Sequence, residues 1–240
     1  MPSVAESESQ QIDGVPIVRD AFARTVRLVT TARLRDSILK ALVATADELT
    51  ELEEIESATS TRLIAQHHGT AGIAAGELVQ GVPHAAFINA SFAYAKPREQ
   101  NRFNGPDRGA WYTALDVDTC LSEVELRMTE FLGRTGEFNA TVEYAELYAS
   151  LAGEYLDLRQ VPNHPSLDPN PAVGYQAGNM LASAALAKGI NGIIYPSVRH
   201  KGGTCFAALW PHAVQSVAQG AVFKLNWSGS PEPTVEQITQ

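Results

Sequence analysis

Between positions 20 and 57, apolar residues recur at three- and four-residue steps: Phe22, Val26 and Val29, then Leu34, Ile38, Leu42, Leu49, Leu52 and Ile55. That spacing places side chains along one face of a helix, and neither glycine nor proline interrupts it. The pattern predicts an N-terminal helical extension over about 15–60, as one long helix or two stacked ones. The polar residues 1–14 ahead of it are expected to be frayed and disordered.

Beyond position 57 the texture changes to short segments broken by glycine and proline. "TRLIA" (61–65) and "GAWYTAL" (109–115) read as strands, the second entered through the turn-prone "NGPDRG". Asp118 is placed to cap a helix over about 119–132, with Leu121, Val124, Met128, Phe131 and Leu132 as its buried stripe and Gly133 as its stop. "EFNATVEYAELYASL" is strand-like but ambiguous, and the four prolines of 161–174 call for an irregular connection. A helix over about 175–188 follows. "GIIYPS" and "TCFAALW" then form a strand pair around the loop "VRHKGG", and the tail from 228 is expected to be disordered. Strands interleaved with a few helices make an α+β fold.

Composition narrows the classes. A chain of 240 residues that is 45% hydrophobic can bury a sizeable core without metal or disulfide support. Cys120 and Cys205 are far apart in apolar contexts, which fits free thiols in a reducing, cytoplasmic setting. No signal peptide and no membrane span is read from the sequence. The net charge of −9 argues against nucleic-acid binding. Six carboxylates crowd 47–56, whereas 96–108 and "RHK" (199–201) are locally basic. Those two basic segments would suit a small anion if the fold brought them together. A dinucleotide glycine turn, a phosphate-binding lysine loop, a zinc-protease helix and a serine-hydrolase elbow are all missing. His67, His68 and His84 have no chelating spacing, so no metal site is expected.

The stretch "RFNGPDRGAWYTALDVDTCLSEVE" (102–125) holds the most suggestive chemistry. Each residue has an ordinary explanation: Arg102 solvated or paired with Asp107, Tyr112 a core phenol, Glu123 paired with Arg127 one turn on. Together, however, a guanidinium, a phenol and a carboxylate suit a substrate with a phosphate, a flat ring and a developing positive charge. NAD+ is such a substrate. Breaking its nicotinamide–ribose bond passes through an oxocarbenium-like state that a carboxylate stabilises, while arginine grips phosphate.

The Arg, Tyr and Glu of this stretch, followed by "GIIYPSVRHKGG", resemble the RES domain over roughly 61–227, with Ser197 at the serine position. The helical head resembles that of the longer ParT-type toxins. The resemblance implies an ADP-ribosyltransferase-like split β-sheet around an NAD+ cleft and a toxin of a toxin–antitoxin module. NAD+ would be the substrate, with no metal. By that resemblance Arg102 holds the phosphates, Tyr112 packs on the nicotinamide side and Glu123 serves the ribose. Ser197 would bond the nucleotide, with Arg62 and Arg199 as further contacts. The implied activity is transfer of ADP-ribose to a protein such as phosphoribosyl pyrophosphate synthetase. NAD+ glycohydrolysis or phosphorolysis, or an inactive antitoxin-binding scaffold, are the alternatives. An antitoxin covering the cleft is the implied partner.

Overall fold

The structure, a computed structural model, describes residues 10–33, 69–70, 72–93 and 100–238. In chain order the strands are β1 (Gln11–Ile12), β2 (Val15–Thr30), β3 (Gly69–Thr70), β4 (Ile73–Ala74), β5 (Trp111–Ala114), β6 (Asn139–Asp157), β7 (Gly192–Pro196), β8 (Thr204–Ala208), β9 (Val214–Ser228) and β10 (Thr234–Ile238). The helices are α1 (Ala85–Ala93), α2 (Val117–Gly133) and α3 (Pro171–Ala187).

Two long strands organise the architecture. β2 and β6 pair antiparallel from Ile17↔Leu156 to Thr30↔Tyr144. The main sheet runs β1-β2-β5-β8-β7-β6-β9-β10, and the extra β2–β6 pairing closes β2, β5, β8, β7 and β6 into a ring. β6 can serve two neighbours on one edge because β9 ends opposite Leu151 and β7 takes over in parallel from Tyr155. The expected α+β class is what the chain adopts.

The helical reading of the head is corrected where the structure describes it: residues 15–30 are strand. The reason is a bulge. Between Phe22↔Leu151 and Thr25↔Ala149, β2 advances three residues while β6 advances two. One inserted residue flips the alternation. Val18 and Phe22 before it, and Val29 after it, therefore pack in one cluster, with Val26 and Leu28 in the other. The broken period of two mimics helical steps. The remaining head positions, Leu34 to Ile55, lie outside the described residues, as do "TRLIA" and Arg62.

Both terminal expectations also change. Asp13 and Gly14, at φ 53° and 74°, form a tight reversal that pairs β1 with the start of β2 and buries Ile12 and Val15. At the other end, β-branched residues of "TVEQI" let β10 zip along the free edge of β9, from Thr234↔Asn226 to Ile238↔Val222. Residues 10–14 and 228–238 are ordered in these pairings, and residues 1–9 and 239–240 lie outside the described residues.

Strand alternation divides the core. On one face of β5, β8 and β7, Ala114, Cys205, Ala207, Ile193 and Tyr195 pack with Leu181, Ala182 and Ala185 of α3. On the other, Trp111, Phe206, Ala208 and Ile194 pack with Ile88 and Phe92 of α1. Helix α2 is capped by Asp116, not Asp118: the Asp116 carboxylate accepts from the Thr119 amide at 2.7 Å. Its Leu121, Val124, Met128 and Leu132 cover Tyr144, Phe223, Leu225 and Trp227. Phe131 falls one step round from that stripe and is 56% exposed. Among the described residues no helix is long and apolar enough to cross a membrane.

Candidate active site

Arg102 lies in a tight turn closed by an Asn101–Asn104 bridge. Helix α3 admits this turn because two of its residues lack a side chain. A Cβ at Gly178 would overlap the Arg102 carbonyl oxygen, and one at Gly174 would lie 2.7 Å from Arg102 Nη1. Asn179 fastens the contact, its Nδ2 donating to Asn101 O at 2.8 Å and to Tyr175 O at 2.7 Å. The Arg102 side chain is buried rather than solvated, and it does not pair with Asp107. Its Nη1 donates to the carbonyl oxygens of Ser166 and, at 2.9 Å, Asp168. Nε and Nη2 keep no protein acceptor among the described residues. The guanidinium carbon stands 5.6 Å from the centre of the Tyr175 ring.

Tyr112 projects from β5 towards the same turn. Its hydroxyl accepts from the Phe103 amide and donates to Asn104 Oδ1, both at 2.9 Å. Burial raises this phenol above the ordinary tyrosine range; the Phe103 amide opposes the rise, and Arg127 and Arg102 oppose it more weakly. Tyr112 therefore stays a neutral ring braced against the residue after Arg102.

Glu123 belongs to the second turn of α2. Its Oε1 accepts from Ser197 Oγ at 3.0 Å. Arg127 does not pair with it but donates to Asn101 Oδ1 at 3.1 Å. Ser197 Oγ also accepts from the amides of Arg199 (3.1 Å) and His200 (2.9 Å). One donated and two accepted bonds use the full capacity of a hydroxyl. In this arrangement Ser197 orients Glu123 and turns the 197–203 loop, with nothing left over for the nucleotide contact the resemblance assigns it. Glu123 Oε2 has no protein partner among the described residues.

The two halves meet around Tyr195, which sequence reasoning passed over. Burial pushes its phenol well above the usual range; Cys205, Tyr112 and Glu123 add to the rise, and Arg102 opposes it. All four site positions are thus close to or bonded within one neighbourhood on the α3-covered face of the sheet. The signal was the spacing "YPS": residues two apart share a strand face, so Tyr195 accompanies Ser197. Tyr175 and Asn179 were also missed, although glycines four apart in "GYQAG" mark a helix that takes a close backbone contact.

Burial holds both thiols in their protonated form. Burial, and then the Glu123 carboxylate, push Cys205 up to about 12, against the hydroxyls of Ser197 and Tyr195. Burial raises Cys120 as well, and its Sγ donates to Val26 O. Arg199 is exposed, its Nη1 3.8 Å from Glu130 Oε1. Arg108, from the other basic segment, is occupied elsewhere: it pairs with Glu77 at 2.7 Å and donates to Gly72 O and Leu209 O. Among the described residues, Arg102 is what the 96–108 segment brings to the site, and Lys96 and Arg98 lie outside them. An open hollow of about 510 Å³, lined by Arg19, Asp20, Ala21, Ala152 and Gly153, involves none of the four site residues. No trio of His, Cys, Asp or Glu side chains among the described residues is arranged to hold a metal ion.

By fold and site this is a mixed α/β protein whose sheet face carries a cluster of arginine, tyrosines, carboxylate and serine. A family model for the RES domain matches residues 78–228. That match covers more than half of the chain and all four residues, and the chain belongs to the RES domain family. Among solved structures, the chain resembles one in the crystal structure of the M. tuberculosis MbcT–MbcA toxin–antitoxin complex, with 12% identity and a TM-score of 0.39, over 85% of this chain and 86% of that one. No curated protein matched the sequence.

Proposed function

We propose that this chain is the toxin of a toxin–antitoxin module, and that it splits the nicotinamide–ribose bond of NAD+ and passes ADP-ribose to a protein acceptor. Two things support the reading: membership of the RES family, and the hydrogen bond from Ser197 to Glu123, which joins the family's two distant motif segments. That bond carries the proposal, because it leaves one oxygen of a fixed carboxylate for the substrate.

In this scheme the C–N glycosidic bond breaks and its electron pair leaves with nicotinamide. Positive charge develops on the ribose, and Glu123 stabilises it. Arg102, anchored through Nη1, offers its remaining N–H groups to the phosphates. Tyr112 supplies a neutral, braced ring beside the leaving group, and Arg62 and Arg199 are further candidates for the phosphates. The acceptor nucleophile attacks ribose C1, and its proton passes to solvent. An antitoxin would silence the toxin by covering Glu123 and Tyr112.

The test is to incubate the chain with NAD+ labelled in the adenosine half, together with cell lysate. Label in a protein band, abolished by Glu123→Ala, is expected. Free labelled ADP-ribose in its place would make the chain a glycohydrolase, and unchanged NAD+ would overturn the reading.

A further inference from the structure

The loop 197–203 is held from its far end by contacts that the scheme above does not use. Thr119, one helical turn before Glu123 and on the same face of α2, is fully buried. Its hydroxyl lies 3.0 Å from Asp116 Oδ2 and 2.9 Å from His200 Nδ1. Gly203 closes over this contact: a Cβ there would stand 2.5 Å from Thr119 Oγ1. The loop's own bonds, Ser197 N to Gly203 O at 2.8 Å and Gly203 N to His200 O at 3.0 Å, fold it back onto the same point.

A hydroxyl has one proton to donate. The Asp116 carboxylate can only accept, so Thr119 gives its proton to Asp116. The remaining contact then requires His200 to donate from Nδ1. The chain of donors runs from the His200 ring through Thr119 to Asp116, while the His200 amide donates to Ser197 Oγ, which in turn holds Glu123. One residue therefore ties the N-terminus of α2 to the serine that orients the carboxylate.

We propose that His200 is a positioning residue for the Glu123–Ser197 pair, acting as an Nδ1–H donor to the Thr119–Asp116 relay. The inference deepens the NAD+ reading and rests on it for its kinetic arm. Its ring does not touch substrate. By locking the turn, it keeps Ser197 directed at Glu123 before NAD+ arrives, and its loss lets the carboxylate swing.

Two measurements on the full chain test this. Imidazole ¹⁵N NMR reads the tautomer without any reaction: neutral His200 is expected as Nδ1–H, and Thr119→Val is expected to abolish that preference. An Nε2–H tautomer in the wild type would overturn the proposal. NAD+ turnover gives the second arm. His200→Ala should lower kcat roughly tenfold, the loss of about one hydrogen bond's worth of orientation, with little change in KM. His200→Asn, whose amide nitrogen can donate from nearly the position of Nδ1, should restore most of it. Wild-type kcat in His200→Ala, or equal losses in the Ala and Asn variants, would overturn the positioning role. A wild-type chain that consumes no NAD+ would sink the functional reading instead, while the tautomer would still decide the latch.

Discussion

Ser197 Oγ donates to Glu123 Oε1 at 3.0 Å, joining residues 74 positions apart in the chain. Under the proposed function, this hydrogen bond matters more for rate than for stability. Ser197→Ala is expected to lower NAD+ turnover roughly tenfold, and Glu123→Ala more severely. Because the serine acts through the carboxylate, the double variant should be no slower than Glu123→Ala alone. Additive losses in this double-mutant cycle would separate the two residues.

Arg102 binds two loop carbonyls from a buried position. Arg102→Ala leaves those oxygens without their donor, at a cost of about 2 kcal/mol or more. The variant should thus lose both activity and urea resistance, and hydrogen exchange should quicken around 161–168. Lysine lacks the planar fork, so Arg102→Lys should recover only part of the stability.

Gly178 is a packing requirement rather than a flexible joint. Its missing Cβ is where the Arg102 carbonyl sits. Gly178→Ala should destabilise the fold by about 1–3 kcal/mol through overpacking, even though alanine favours helix. The denaturation midpoint checks this: an unchanged midpoint would mean that the 101–104 turn does not seat on α3.

Cys205 links pH to stability. Its thiol titrates ordinarily at 9.0 but at about 12 in the fold. Below pH 9.0 both states hold the proton and the contribution is complete. Between 9.0 and 12 the unfolded chain releases it first, so stability falls as pH rises. The raised phenols of Tyr112 and Tyr195 act in the same direction. The urea midpoint should decline on the alkaline side, and Cys205→Ala should decline less steeply. The native thiol should resist alkylation near neutral pH until the protein is unfolded.

Some parts of this fold can be read from residue order alone. The body of the helix expected over about 119–132 and the strand pair around "VRHKGG" were legible because turn signals and periodicity bound them locally, although the cap fell at Asp116. Arg102, Tyr112, Glu123 and Ser197 stand out as candidates from residue type and order. Other parts depend on contacts between distant segments. The strand at 15–30 exists because β6 offers an edge along most of its length, and its bulge disguises the alternation. The C-terminal strand exists because β9 has a free side. The work of each site residue was likewise set by what folding places beside it: carbonyls take part of the Arg102 fork, two amides and a carboxylate consume the Ser197 hydroxyl, and Arg127 turns to Asn101 instead of Glu123. Periodicity reports which face of an element is buried, but the partner of a hydrogen-bonding group is fixed only when distant segments close around it.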